Sequence, residues 1–512
     1  MALTVATNTG ALMAQAAASS VNKEMEMSME RLSTGKRINA ASDDAAGVAI
    51  SSRLTAEIKG TNQAIRNAMD GQALLDTAEG AHLEIENILQ RMRELAVQAA
   101  NDTNSNTDRT YLQNEIKQLQ TEVDRIANTT TWAGSNLFNG DFSSKNFQVG
   151  SGDGSSNQIS TTIDAMNAAS IGDHRIDSTA VVAAHATAAD TKSSTSFVLT
   201  GSKGASTVSF TAGDGAKTVA AAVNALTSST GITAKAVTHA RIDTLGAAGT
   251  ITFNLGSADG GTAISAAIAN TSDLTNLKDA INQVAGTTGI TAKMGANNSI
   301  IDLTDHDGND IYIANYANSD AGNDTVQVTA LDYAGTTEVG SAVTLTEGGT
   351  IDANVTGTLR LQDTQTFTVR LETEADGSTA PTAAEGYFSA ASGTYSGGAA
   401  AQANSNLASV SAIDIGTAAG SKSAIAILDG AMRMVATQRG ELGAISNRID
   451  STVSNLTNIS NNLAAGKGRI EDADFAAETT NLAKTQILQQ ASTAMLAQAN
   501  AAKQNVLSLL QG

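Results

Sequence analysis

The chain has 512 residues, a formal net charge of −20, 3% aromatic residues and no cysteine. The negative charge disfavours nucleic acid and anionic membranes as partners, and the lack of cysteine excludes disulfide frameworks and thiolate metal sites. No stretch approaches the roughly 18 apolar residues of a membrane-spanning helix, and the N-terminal residues lack the basic and apolar regions of a secretion signal. We therefore expect no membrane insertion and no ordinary signal peptide.

The N-terminal part is predicted to consist of three long helices. Residues 1 to about 40 form the first, with Ala18, Val21, Met25, Met29 and Leu32 on one face. Ser42-Asp43-Asp44 supplies an N-cap and first-turn carboxylates for a second helix that reaches about Ala100. The third runs from about Asp108 to Ala127. Apolar residues three and four apart line the second helix at Ile85, Ile88, Met92, Leu95 and Ala99, and the third at Leu112, Ile116, Leu119, Val123 and Ile126.

The middle of the chain has a different composition. Short strands are predicted after the third helix, ending at Phe147–Gly150. From about residue 170 to 417, Ala, Gly, Ser, Thr and Asp dominate, and alternating runs such as Ser196–Leu199 and Thr366–Val369 predict strands. Gly231–Lys235 recurs 58 residues later as Gly289–Lys293, and the short helix before each copy repeats too. We interpret this as a duplicated helix-strand unit.

The C-terminal part is predicted to be helical again from about Ser421. Its apolar seam is interrupted only at Thr452 and consists of Leu442, Ile445, Ile449, Leu456, Ile459 and Leu463. After Gly466-Lys467-Gly468, a final helix runs nearly to Gly512 with a sparser seam of Leu488, Ser492, Met495, Ala499, Ala502, Val506 and Leu509. Such stripes must be buried against other helices. The sequence therefore predicts termini that pair into one rod, with the middle looped out.

Several segments resemble bacterial flagellin, and they occur in the same order at both ends of the chain. The likeness covers roughly residues 1–165 and 420–512. The segments are Glu30–Asn39, Asp43–Gly47 and Leu89–Gln98 near the N-terminus, and Arg469–Phe475, Gln486–Gln490 and Gln504–Leu510 near the C-terminus. The duplicated unit resembles a small motif inserted in some flagellins, whereas the rest of the middle is of the kind that varies in this family.

The resemblance implies an α+β fold. Long N- and C-terminal helices would form a coiled-coil rod with a β-hairpin, and a β-rich variable insert would project outward. The expected domains are a terminal core of 1–42 and 466–512, a helical rod of 43–168 and 418–465, and an outer region of 169–417. We predict that the terminal core is disordered in the free monomer and folds on assembly.

The resemblance also implies a function: a structural subunit that polymerises into the extracellular bacterial flagellar filament for swimming. Identical subunits whose contacts do not close generate open helical assemblies. The implied partners are other copies of the chain, the flagellar export apparatus, a C-terminal export chaperone, and hook-associated and cap proteins. The alternative is a hook–filament junction protein, which shares the terminal helices but does not polymerise.

Members of this family are recognised by a vertebrate Toll-like receptor through the first rod helix. The matching positions are Arg91, Leu95, Gln98 and, on the following helix, Glu115. The alternative interpretation places Leu95 in the buried seam and treats Arg91 and Glu115 as ordinary solvated or inter-subunit charges. Both interpretations remain open from the sequence.

No catalytic, metal or cofactor-binding residues are predicted, and the chain is not expected to be an enzyme. An acidic cluster surrounds Asp307-Gly308, but counting from Asp305 its glycine comes at position 4, whereas an EF-hand requires glycine at position 6. We favour an Asp-Gly hairpin turn between Ile301–Leu303 and Ile311–Ile313. The insert offers no visible pocket with convergent polar groups.

Overall fold

The structure is a computed structural model of the whole chain. It describes residues 7–185, 196–211, 213–257, 261–320, 322, 324–349, 352–371, 387–388, 395–396 and 402–511. Within these residues the helices are α1 (Thr9–Thr34), α2 (Ala45–Ala99), α3 (Asn106–Thr129), α4 (Ala216–Ala225), α5 (Thr227–Thr230), α6 (Thr275–Gln283), α7 (Ala285–Thr288), α8 (Ala418–Glu471) and α9 (Phe475–Gln511).

Local capping explains where the N-terminal helices begin and end. The chain leaves α1 at Gly35, whose φ of 70° is in the left-handed region that favours glycine. The Asp44 carboxylate accepts a hydrogen bond from Gly47 N at 2.8 Å and so caps α2. Ser105 and Asp108 form a reciprocal capping box at the start of α3. The predicted bounds of α2 and α3 are confirmed, whereas α1 ends earlier than the predicted residue 40.

The C-terminal helices divide at a different place from the one predicted. The helix α8 continues through Gly466 and Gly468 and ends at Glu471, and α9 begins at Phe475. The Asp474 carboxylate accepts hydrogen bonds from the N–H groups of Ala476 and Ala477 and caps α9. Two glycines were too weak a signal to end a long helix, because each costs only about 1 kcal/mol relative to alanine.

The strands are β1 (Thr131–Trp132), β2 (Ser135–Asn136), β3 (Lys145–Gln148), β4 (Gln158–Thr161), β5 (Gly172–Asp177), β6 (Val182–His185), β7 (Ser196–Gly201), β8 (Gly204–Ser209), β9 (Thr233–Asp243), β10 (Gly249–Gly256), β11 (Thr262–Ile268), β12 (Ile290–Met294), β13 (Ile301–Asp305), β14 (Ile311–Asn318), β15 (Thr325–Leu331), β16 (Glu338–Thr346), β17 (Asp352–Val355), β18 (Thr358–Asp363), β19 (Thr368–Leu371), β20 (Tyr395–Ser396), β21 (Gln402–Asn404) and β22 (Asn406–Ser409). Their spatial orders are β1-β2, β3-β4, β11-β10-β14-β17-β6, β20-β21-β19-β7-β8 and β12-β13-β9-β18-β5-β22, with β15 pairing β9 and β16. The α+β class is therefore confirmed.

The chain divides into two compact units, each built from segments far apart in sequence. Unit 1 comprises residues 1–76, 144–162 and 442–512, and unit 2 comprises 77–143 and 163–441. Both α2 and α8 contribute residues to both units. The three-part division predicted from the sequence stays a prediction.

In unit 1, the β3–β4 hairpin packs on α2. A Cβ at Gly71 would lie 3.2 Å from the Phe147 ring, so glycine at this point of the helix lets the hairpin approach closely. Asn67 donates from Nδ2 to the carbonyl oxygen of Gln148 at 3.1 Å and fixes the hairpin. The predicted hairpin is present, and it supplies the tertiary contact that offsets the low helix propensity of Gly71.

In unit 2, the predicted duplication is visible in identical hydrogen bonds. The Asn224 side chain donates to Ala234 O at 2.9 Å and accepts from Ala234 N at 2.8 Å. Asn282, 58 residues later, makes the same two bonds to Ala292 at the same distances. A hairpin precedes each helix, β7–β8 in the first copy and β10–β11 in the second. The repeated unit is therefore larger than the helix and strand found in the sequence.

The predicted turn at Asp307-Gly308 is formed, but the hairpin is wrong. Gly308 has φ 77°, and Asp305 accepts a hydrogen bond from Asp307 N at 2.7 Å. The strands on either side do not pair with each other: β13 lies between β12 and β9, and β14 lies between β10 and β17. A turn signal fixes local geometry, whereas the strand partners depend on which apolar faces are buried together.

Candidate assembly surfaces

The terminal helices α1 and α9 pack against each other in unit 1, in antiparallel orientation. The residues of α1 that are at least partly covered are mostly small or polar. A heptad series consists of Ala11, Ala14, Ala18, Val21, Met25, Ser28 and Leu32, and Asn22 and Arg31 lie beside it. The corresponding residues of α9 are Glu478, Leu482, Thr485, Gln489, Ser492, Leu496 and Ala499. Small side chains permit close approach of two helices but bury little apolar surface.

Polar contacts fix the register of this pair at three levels. Asn8 Nδ2 donates to Ala499 O at 3.3 Å. Further along, Gln489 Nε2 donates to Asn22 Oδ1 at 2.9 Å. At the far end the guanidinium of Arg31 lies 3.9 Å from the Glu478 carboxylate. Register is therefore specified by polar groups rather than by a deep apolar core.

Large apolar side chains of the same two helices are exposed. They are Leu12, Met13, Met27 and Met29 on α1, and Phe475, Ile487, Leu488 and Met495 on α9. Met495 is 67% exposed. Exposed apolar side chains that recur along one element are typical of surfaces that another molecule covers. The pair therefore leaves these eight large apolar side chains exposed.

The predicted seam residues of the termini fall into two classes. Ala18, Val21, Met25 and Leu32 are partly covered on α1. Met29, predicted on the same face, is 52% exposed, and Leu488 and Met495 on α9 are exposed as well. The side chains of Val506 and Leu509 lie outside the described residues. The role of these residues in assembly stays a prediction.

The linkers after α1 and α8 form a clasp. Arg37 N donates to Glu471 O at 2.6 Å, and Ala473 N donates to Gly35 O at 3.0 Å. Lys36 Nζ lies 2.5 Å from the Glu471 carboxylate, which also accepts from Ser51 Oγ at 2.8 Å. The Lys36 ammonium, followed by the Ser51 hydroxyl, lowers the pKa of Glu471 to about 2.

The helical seam of unit 2 is buried within the chain itself. Ile85, Ile88, Met92, Leu95 and Ala99 are all buried on α2, as are Ile116, Val123 and Ile126 on α3. The predicted seam of α8, in contrast, lies in unit 1. It becomes less covered toward its end: Leu442 and Ile449 are buried, Ile445, Leu456 and Leu463 are partly covered, and Ile459 is exposed.

Ion pairs in unit 2 join α2 to α8. Arg439 donates to Glu79 at 2.8 Å and also contacts Glu86, and Arg93 lies 2.6 Å from Asp429. The carboxylates raise the pKa of Arg439. These pairs are partly exposed, so they specify the register of the two helices more than they stabilise them.

The structure separates the residues predicted for receptor recognition. Arg91 donates to Glu115 at 2.9 and 3.1 Å across α2 and α3, and both side chains are substantially exposed. Gln98 is exposed as well. Leu95, in contrast, is 1% exposed and belongs to the seam. Three of the four positions are thus available to another molecule in the free chain.

Two features had no signal in the sequence pattern. One is the clasp, since nothing in the segment around Glu471 indicates that it would meet Lys36. The other is Asp173 on β5, whose carboxylate is fully buried, accepts from Gln362 and lies 3.6 Å from Arg433 on α8. Burial raises the pKa of Asp173 to about 6. Among the described residues, no group of three His, Asp or Glu side chains is placed to hold a metal ion.

The chain matches known families at both ends and in the middle. The "Bacterial flagellin N-terminal helical region" matches residues 5–143, the "Bacterial flagellin C-terminal helical region" matches 425–510, and the "Flagellin hook IN motif" matches 196–245. The chain is 37% identical to B-type flagellin of Pseudomonas aeruginosa and 33% identical to polar flagellin F of Vibrio parahaemolyticus, covering 100% of both chains each time. The chain belongs to the bacterial flagellin family. As a flagellin it is a structural subunit that self-assembles into the extracellular flagellar filament, which also involves hook-associated proteins.

Similarities to solved structures are weaker. FliC from Burkholderia pseudomallei shares 17% identity over 74% of this chain and 99% of its own, with a TM-score of 0.30. The flagellar junction protein FlgL from Legionella pneumophila shares 13% identity over 82% of this chain and 99% of its own, with a TM-score of 0.31. No helix in the described part of the chain is long and apolar enough to span a membrane.

Proposed function

We propose that the α1–α9 pair is the polymerisation element of this filament subunit. The observation that carries the proposal is the set of large apolar side chains left exposed on these two helices, above all Ile487 and Met495. Because their covered faces are mainly small and polar, these exposed side chains provide the apolar surface that remains to be buried between subunits. Contacts of this kind between identical subunits, made between different surfaces, extend into a helical array.

Seeded polymerisation tests this proposal. Purified chain is mixed with short filament seeds and precipitant salt and followed by electron microscopy. We expect long filaments from the wild-type chain, none after deletion of residues 475–512, and slower growth for Ile487→Ser and Met495→Ser. Gln498→Ser, an exposed polar position on the same helix, is the matched control and should grow normally. Wild-type chain that only caps seed ends would instead favour a hook–filament junction protein.

We also propose that the terminal helices become stably ordered only on assembly. A helix pair whose covered residues are mainly small or polar, such as Ala, Ser, Thr, Glu and Gln, buries too little apolar surface to offset the entropy of ordering its residues. Limited proteolysis of monomer and filament tests this. The segments 9–34 and 475–511 should be cleaved early in the monomer and protected in the filament, and equal protection in the monomer would contradict it.

Export and recognition by partners extend the proposal. We propose that the chain leaves the cell through the flagellar export apparatus, with a dedicated chaperone holding its C-terminal end. Exposed apolar residues such as Leu488 give such a chaperone a surface to cover. Co-purification of the chaperone with full-length chain, and its loss on deleting residues 475–512, is the expected result.

For the Toll-like receptor we propose direct contacts with Arg91, Gln98 and Glu115, with Leu95 acting from beneath by holding α2 against its neighbours. Arg91→Ala and Glu115→Ala should each reduce receptor signalling in reporter cells. Glu84→Ala, another exposed charge on α2, should leave it unchanged. Equal signalling by all three variants would show that these residues do not contact the receptor.

A further inference from the structure

An open groove lies beside the clasp, within unit 1. Its volume is about 620 Å³, and its walls come from the α1–α2 linker, the first turns of α2 and the end of α8. Ile38, which is buried, and Val48 provide its apolar part. Lys36, Lys59 and Lys467 line it together with the single acidic residue Glu471.

The charge of this groove is opposite to that of the chain. Lys36 and Lys467 share Glu471 as an ion-pair partner, whereas Lys59 is exposed and has no ion pair with any residue that the structure describes. The groove is therefore positive, although the chain has a formal net charge of −20. An apolar floor with a cationic rim suits an apolar side chain that has a carboxylate beside it.

Phe475 at the start of α9 has this chemistry. It is 63% exposed, whereas the other phenylalanines in the described part of the chain are buried or partly covered. Asp474 precedes it directly and is also exposed. Aromatic side chains seated in pockets are the residues that most often dominate the affinity of an interface. In its own chain Phe475 is not among the residues lining the groove.

We propose that Phe475 of one subunit inserts into the lysine-lined groove of a neighbouring copy, with Asp474 beside Lys59. The inference rests on the proposed function, because the partner is a second copy of the chain in the filament. Groove and aromatic residue are different surfaces, so the contact is heterologous and propagates rather than closing a dimer.

Engineered cysteines test the contact directly, because the chain has no native cysteine. Ser52, which lines the groove, is changed to Cys in one preparation, and the exposed Ala476, which follows Phe475, is changed to Cys in another. The two are copolymerised on wild-type seeds and treated with an oxidant or a short bis-maleimide. We expect cross-linked dimers from the mixed filaments and none from mixed monomers. Thr121→Cys on α3, paired with Ala476→Cys, is the control and should give none.

The affinity of the subunits for the filament provides the second measurement. Phe475→Ala and Lys59→Glu should each raise the critical concentration for polymerisation roughly tenfold, as expected for a central interface residue, and Phe475→Leu should have a smaller effect. Lys117→Glu on α3 makes the same charge change outside the groove and should have no such effect.

The outcomes separate this inference from the function on which it rests. If the wild-type chain extends seeds but the mixed filaments of Ser52→Cys and Ala476→Cys give no cross-link, the docking contact is overturned and the polymerisation element stays intact. Cross-linking within single chains that carry both cysteines would also overturn it, because the groove would then take its own chain's Phe475. Failure of the wild-type chain to extend seeds would contradict the proposed function itself.

Discussion

Two helical seams with the same spacing are buried to very different extents. In unit 2, α2 and α3 bury Met92, Leu95 and Ile116 almost completely. In unit 1, α1 and α9 cover mainly small and polar residues and leave Ile487 and Met495 exposed. Heptad spacing therefore identifies a helix that needs a partner but does not show whether the partner is in the same chain. The first seam is completed by folding, and we propose that the second is completed by assembly.

The largest expected effect distinguishes these two seams directly. Leu95→Ala should destabilise the free chain by about 2–5 kcal/mol, because it leaves a cavity in a buried seam. Met495→Ala should change it by less than about 0.5 kcal/mol, since the side chain is exposed. Urea unfolding followed by fluorescence of Trp132, the single tryptophan and a residue of unit 2, measures the first effect. Far-UV circular dichroism measures the effect of Met495→Ala. A large loss of stability in that variant would show that α1 and α9 already form a stable core in the free chain.

The buried carboxylate of unit 2 should produce the next largest effect. Because the pKa of Asp173 is raised to about 6, the native state binds its proton more tightly than the unfolded chain. Its favourable contribution is complete below a pH of about 4 and is lost as the pH rises to about 6. Asp173→Asn should therefore stabilise unit 2 by about 2 kcal/mol at pH 7. Unfolding free energies measured from pH 4 to 7 should vary less in the variant than in the wild type.

The duplicated unit permits a comparison inside unit 2. Asn224→Ala and Asn282→Ala each remove two hydrogen bonds to a strand and should each cost about 1–3 kcal/mol. Equal costs, within about 0.5 kcal/mol, are expected if the copies are energetically equivalent. Asn276→Ala, which removes one bond to Ala267 O, is the milder control. A negligible cost at Asn282 alone would show that the second copy is held by other contacts.

The smallest expected effect concerns the clasp of unit 1. Glu471→Gln removes the ion pairs with Lys36 and Lys467, which contribute little to stability so close to the surface. Because the pKa of Glu471 is lowered, its contribution is present above a pH of about 4.5 and is lost as the pH falls through about 2. Lowering the pH therefore removes the stabilising contribution of Glu471 but restores that of Asp173. Circular dichroism at pH 5 and pH 2 measures how much helicity Glu471→Gln loses relative to the wild type. Glu24→Gln, at an exposed position on α1, is the control.

Many elements could be predicted from the sequence because their signals are local. The caps at Asp44 and Ser105 depend on side chains within three residues of the backbone groups they bind. The duplication can be predicted because Gly231–Lys235 recurs as Gly289–Lys293, and the structure shows that both glycines occupy left-handed positions that end a helix. The end of α8 was placed wrongly because the clasp between Arg37 and Glu471 joins residues more than 400 positions apart.

The sequence by itself determined the long terminal helices, the β-hairpin, the repeated unit and the family, because heptad spacing, caps and motif order are carried by neighbouring residues. Only the tertiary structure decided which seams are closed within the chain and that Leu95 is buried while Arg91 is exposed. It also decided that β13 and β14 belong to different sheets and that a lysine-lined groove lies beside Glu471. Burial and charge environment depend on which distant segments meet, and no pattern within one segment encodes that.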